Sequence, residues 1–186
     1  MKKICSFILW LFGWKIKGAM PTGIKKCVLI VAPHTSYWDF ILGKLSFGAL
    51  GFTGKFFIKK KYFVFLLGPL LKAFGAVPVG SSKWQDVLHT ALEYFKNNEE
   101  FILVITPEGT RKRAKRWRKG FYEIAMEAQV PLVIGTIDYA KKELHIICEF
   151  KITGDFVADL LKIEKFYSDV TAKHPAEFNR LFIGNL

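Results

Sequence analysis

The chain has 186 residues, one domain's worth, and 51% of them are hydrophobic, which suffices for a single sizeable core and excludes disorder. Lys and Arg number 28 against 16 Asp and Glu, a formal charge of +12, and aromatic residues reach 16% with 18 Phe. Residues 1–120 hold 21 basic and 6 acidic side chains (+15) and residues 121–186 hold 7 and 10 (−3), so a membrane surface or other polyanion would meet the first two-thirds.

Cys5, Cys27 and Cys148 are odd in number and far apart, which indicates neither a disulfide framework nor a zinc site and fits a reducing compartment. The longest stretches free of Asp, Glu, Lys and Arg are Cys27–Trp38, twelve residues, and Ile4–Trp14, eleven. A membrane-spanning helix needs roughly 20. The opening imitates a signal peptide, but Lys15 and Lys17 follow at once and no A-x-A site appears, so the segment reads as retained. Residues 1–17 read as an interfacial anchor. Phe7, Ile8, Trp10, Leu11, Phe12 and Trp14 would lie among lipid headgroups, with Lys2, Lys3, Lys15 and Lys17 on anionic lipid. A core helix is the alternative.

Residues 18–186 form the second unit. Cys27–Ala32 reads as a buried strand ended by Pro33, followed by a helix from Tyr37 to about Leu50 and a short strand, Lys55–Ile58. Tyr62–Ala73 reads as a buried or membrane-facing helix and Ala76–Val79 as a strand. Ser81 or Ser82 caps an amphipathic helix, Lys83–Asn97, and Phe101–Ile105 is another buried strand. A polar turn, 106–111, then enters a run in which seven of the nine residues Arg111–Lys119 are basic. Trp117 within that run points to a lipid interface. Gly120–Gln129 reads as a helix, Pro131–Ile137 and Leu144–Phe150 as strands, and Phe156–Lys173 as a helix. The alternation predicts one α/β domain, a mixed and largely parallel sheet flanked by helices.

Of the four histidines, His89 falls mid-helix, His145 within a strand and His174 in a tail, all structural readings. His34 follows a buried strand, at the carboxyl edge where open α/β sheets bind ligands, and Asp39 lies five residues on. From the first turn of the following helix, Asp39 can reach back to one ring nitrogen and leave the other facing the site. An imidazole so oriented can take a proton from an alcohol near neutral pH. Asp39 also reads as an ordinary N-terminal helix acid. Glu108, Gly109, Thr110 and Arg111 leave a second strand at the same edge. Gly109 permits tight backbone, Thr110 offers a hydroxyl, and Arg111 presents a fork suited to phosphate.

His34-Thr-Ser-Tyr-Trp-Asp39 and Pro107-Glu108-Gly109-Thr110-Arg111 resemble motifs I and III of the glycerophosphate and lysophosphatidic acid acyltransferase family, at a fitting separation. Phe74–Val79 is similar to motif II, Lys119-Gly120 and the helix after it to the stretch beyond motif III, and Val130–Val133 to motif IV. The resemblance implies the glycerolipid acyltransferase fold and transfer of an acyl chain from coenzyme A or acyl carrier protein to a lysolipid hydroxyl. The first-named product would be phosphatidic acid, made at the cytoplasmic face of a membrane by a peripheral enzyme with no metal or redox cofactor. By the same resemblance His34 is the general base, Asp39 orients it, Arg111 holds the acceptor phosphate, Glu108 and Pro131 shape the site, and Lys60 is an accompanying basic position.

Where the family commonly ends motif II with Asp-Arg, this chain reads Gly80-Ser81, which removes one phosphate contact. Lys83 or Lys119 is placed to compensate. The alternatives are an acceptor without a phosphomonoester, such as an amino-acid lipid, or a non-catalytic basic membrane-binding module. The chain is also short before its first core strand, so Ile4–Trp14 would anchor alone. Nucleic acid is not an expected partner, because the aromatics fall in apolar elements and no recognition motif appears.

Overall fold

The computed structural model describes residues 1–65, 67–80 and 83–180. Among the described residues seven strands form one sheet, β1 (Lys15–Lys17), β2 (Lys26–Ala32), β3 (Gly54–Lys59), β4 (Ala76–Val79), β5 (Phe101–Ile105), β6 (Leu132–Asp138) and β7 (Glu143–Phe150). Their order is β1-β7-β6-β2-β5-β3-β4. All neighbours pair parallel except β6 with β7, which are antiparallel. The helices are α1 (Lys2–Leu11), α2 (Tyr37–Leu50), α3 (Leu67–Ala73), α4 (Trp84–Asn97), α5 (Gly120–Glu127) and α6 (Phe156–Glu164).

The central strands are apolar on both sides because helices cover both faces. Val28, Ile30 and Ala32 of β2 point into a core with Leu103, Leu132 and residues of α4, α5 and α6, such as Ala91, Phe121 and Leu160. Cys27 and Leu29 alternate to the other face, against Phe47 of α2. Leu9 of α1 joins Leu42 of α2 and Ile137 of β6 beside them. Among the described residues no helix is long and apolar enough to cross a membrane.

Several elements differ from their sequence readings. Lys15–Lys17, read with the N-terminal segment, form the edge strand β1 beside β7. Lys17 is thereby 2.8 Å from Glu143 instead of free for lipid, and Trp14 packs edge-on against Tyr139 at 5.1 Å between centroids. Tyr62–Ala73 is not one helix: a 3-10 turn, Lys60–Tyr62, precedes the shorter α3. The helix from Phe156 ends at Glu164, because Tyr167, fully buried, donates its hydroxyl to Gly135 O and pulls the chain down onto the sheet. Trp117 is not at an interface; it is buried between Phe121 and Tyr167 and pins the basic loop to the core. The expected cap at Ser81 or Ser82 lies outside the described residues.

Candidate active site

β2 and β5 run side by side in parallel, with Ile30 opposite Ile105, so the segments leaving their carboxyl ends emerge together. One carries His34 and the other Glu108. Both Glu108 carboxylate oxygens accept from the His34 backbone N–H, at 3.0 and 3.1 Å, which fastens the second turn beneath the first. The first turn is held by α2 itself. Ser36 is its N-cap and Asp39 its N3 residue in a reciprocal capping box, with Asp39 Oδ2 accepting from Ser36 N and Thr35 N at 2.8 Å each.

The same Oδ2 lies 3.2 Å from His34 Nδ1. Tyr139 donates its hydroxyl to the other oxygen, Oδ1, at 2.6 Å. Burial would raise the Asp39 pKa, but hydrogen bonds from His34, Tyr139 and Ser36 overcome it and hold the carboxyl below its ordinary range. Asp39 is therefore an anion. An anion against Nδ1 keeps the ring proton there and leaves Nε2 with a free lone pair. Glu108 responds in the opposite sense: burial, reinforced by the Asp39 charge and only partly offset by the His34 N–H, pushes it up to about 7.

His34 opens into a cavity of about 1090 Å³. Arg111, Arg118 and Lys119 are among the residues that line it. The remainder is mostly apolar, including Phe40, Phe47, Phe56, Ile58, Leu71 and Phe74, and runs between α2, β3 and α3. The Arg111 guanidinium stacks 3.5 Å over the Tyr37 ring, which fixes the planar fork. Gly109 has φ +66°, and a Cβ there would sit 2.7 Å from Arg118 Nε, so only glycine lets Arg118 cross the turn. Lys119 Nζ lies 3.7 Å from Glu123. A cavity with this lining has room for an alkyl chain against its apolar wall and for an anion against its cations.

The structure thus brings His34, Asp39, Glu108, Gly109, Arg111 and Lys119 together. Thr110 is exposed, and its hydroxyl accepts from Lys112 N at 3.2 Å. Lys60, on the 3-10 turn after β3, is exposed and does not line the cavity. Sequence reasoning missed Tyr139, Tyr37 and Arg118 as individual contributors. A signal for Tyr139 was present: it directly follows β6, which runs parallel to β2 and ends at the same edge. Among the described residues no three His, Cys, Asp or Glu side chains cluster as a metal site.

The sequence pattern of the acyltransferase family matches residues 15–137, about two-thirds of the chain. No curated protein matches. Among solved structures the fold is similar to that of the 1-acyl-sn-glycerophosphate (LPA) acyltransferase PlsC from Thermotoga maritima. The TM-score is 0.61 at 16% identity, covering 92% of this chain and 80% of that one. With a histidine and its carboxylate lining a largely apolar cavity, and the family pattern running from β1 into β6, this chain belongs to the acyltransferase family and is an acyltransferase.

Proposed function

We propose that the protein moves an acyl chain from an acyl thioester, on coenzyme A or acyl carrier protein, to the free hydroxyl of a lysolipid. The first-named acceptor is 1-acyl-sn-glycerol 3-phosphate, which gives phosphatidic acid. The reading rests on one observation above all: the His34–Asp39 pair opens into a largely apolar cavity that Arg111, Arg118 and Lys119 also line. His34 Nε2 takes the hydroxyl proton as the oxygen attacks the thioester carbonyl, while Asp39 offsets the charge of the imidazolium. The tetrahedral adduct collapses, the carbon–sulfur bond breaks, and His34 returns its proton to the leaving thiolate. No net proton is gained or lost.

Access is by a membrane surface. Ile4, Phe7, Trp10 and Leu11 of α1, with Phe12 just after it, are exposed, and α1 packs along α2, whose Trp38 and Ile41 are exposed beside the cavity. Such a face supports a peripheral site on the cytoplasmic leaflet, with Lys2 and Lys3 on anionic lipid.

The test is an acyl-transfer assay by mass spectrometry, offering both thioesters with a panel of lysolipids. Acylation of the phosphate-bearing lysolipid, with His34→Ala folded but reduced about 10²–10⁴-fold, is the expected result. Turnover of an amino-acid lysolipid alone would replace the acceptor and keep the chemistry. A folded, fully active His34→Ala would overturn the mechanism.

A further inference from the structure

The basic loop divides its cations between two compartments. Arg118 and Lys119 turn into the His34 cavity, whereas Lys112 turns outward into a separate open cleft of about 570 Å³. Arg111 lines both. The far wall of the cleft is the C-terminal segment, which brings Lys173 and His174, and its floor is Thr35, the neighbour of His34.

That segment is fastened at both ends of the site. His174 N donates to Thr35 Oγ1 at 3.2 Å, and the Lys173 ammonium lies 5.1 Å over the Trp38 ring. Asn179 Nδ2 donates to Ala114 O and Lys115 O of the basic loop, at 3.0 and 2.9 Å. The acid on the cleft wall, Glu177, is engaged by Arg113 N at 2.8 Å. The segments that bear Lys112 and Lys173 are therefore tied to each other and to Thr35, and the Lys173 ammonium is seated on the Trp38 ring, in a concave site beside the reacting histidine. A cleft with such a wall selects an anion.

We infer that this cleft holds the phosphate groups carried on the pantetheine arm of the acyl donor. The inference rests on the acyl-thioester reading above. That reaction brings two phosphate-bearing molecules to one histidine, and their like charges need separate seats. The acceptor is short between hydroxyl and phosphate, so its phosphate belongs with Arg111, Arg118 and Lys119 inside the cavity. The donor places a long arm between thioester and phosphate, which reaches out of the cavity, past Arg111, to water. The outer cleft lies on that route and is open to solvent, as a nucleotide or a carrier protein requires.

The test compares wild type with Lys112→Ala/Lys173→Ala, using acyl-coenzyme A, acyl carrier protein and a truncated acyl-N-acetylcysteamine that has no phosphate. With whichever full donor turns over, kcat/KM relative to the truncated thioester falls about tenfold through the donor KM, with the acceptor KM unmoved. The two full donors separate the nucleotide phosphates of coenzyme A from the single phosphate on pantetheine that both carry. A rise in the acceptor KM instead would assign the cleft to the acceptor and overturn the inference, as would no change in either constant.

If wild type transfers no acyl group, the proposed function has failed, and calorimetric titration with coenzyme A decides the cleft by itself. Binding weakened about tenfold in the double variant supports it, and binding that is absent or unaltered overturns it.

Discussion

Asp39 is the most heavily contacted carboxylate of the site, and its contacts divide the labour between its oxygens. Oδ2 serves the backbone and His34, while Oδ1 serves Tyr139 alone. Tyr139→Phe keeps the ring against Trp14 and deletes only that hydroxyl. Because a hydrogen bond to a charged group is worth roughly 1.5–3 kcal/mol and the other contacts persist, kcat falls about tenfold with substrate KM values unchanged. Steady-state kinetics decide it, and an unaltered kcat would reduce Tyr139 to packing. Glu108 makes a pH prediction. Its pKa is about 7 in the fold against 4.5 for an ordinary glutamate carboxyl, so between those pH values the folded chain binds the extra proton. Its contribution to stability is present at the acid end and is lost as pH rises through about 7, at a cost of about 3 kcal/mol. Glu108→Gln keeps an acceptor for the His34 N–H and carries no charge. Thermal melts should therefore show the variant gaining on wild type from about pH 5 to pH 8, and parallel curves would contradict the buried-acid account. Asp39 works in the opposite window. Its depressed pKa gives stability above the ordinary carboxylate range that is lost as pH falls through the folded value, and both proteins share that acid limb.

At the scale of elements, what the sequence made legible follows from signals that are local. β2, β5 and β6 announce themselves as apolar runs, and α2 announces its start with Ser36 and Asp39, so the partners His34 and Asp39 could be paired before any fold was known. The edge strand β1 could not be: three residues, Lys-Ile-Lys, carry no periodicity, and only β7 alongside makes them a strand. Trp117 was misread for the same reason. Its neighbours in sequence are charged, while its neighbours in space are Phe121 and Tyr167. The end of α6 is likewise a tertiary decision, since amphipathic spacing continues past Glu164 and burial of Tyr167 stops it. Tyr139 and the C-terminal wall of the outer cleft reach His34 only across about 100 residues or more of chain.

At the scale of the molecule, positive charge and much of the exposed apolar surface fall in the same two-thirds of the chain. The first 120 residues carry the positive excess, and they also carry α1, α2 and the 62–74 segment, where Phe65, Leu67, Leu70 and Phe74 are exposed. α2 and α3 line the cavity, and α1 packs along α2, so a chain drawn from a bilayer would meet the slot at this face. Two forces should then hold the protein to a membrane, and salt separates them. Added salt shortens the Debye length to about 3 Å at 1 M and removes the attraction of Lys2 and Lys3 for anionic lipid, but leaves insertion of Trp10 and Phe12 intact. Co-sedimentation with anionic vesicles should weaken with salt to a plateau instead of to zero. Burial of one large side chain is worth roughly 1.5–3 kcal/mol when complete and less at an interface, so Trp10→Ala/Phe12→Ala should lower that plateau about tenfold. The same variant should retain turnover on a detergent-dispersed lysolipid, because neither side chain lines the cavity. Trp14→Ala serves as the contrast. Trp14 packs on Tyr139 under the catalytic pair, so its loss should reach kcat and spare the salt-resistant binding. Wild-type binding that vanishes at high salt would mean that charge alone holds the protein to the vesicles and would overturn the apolar anchor.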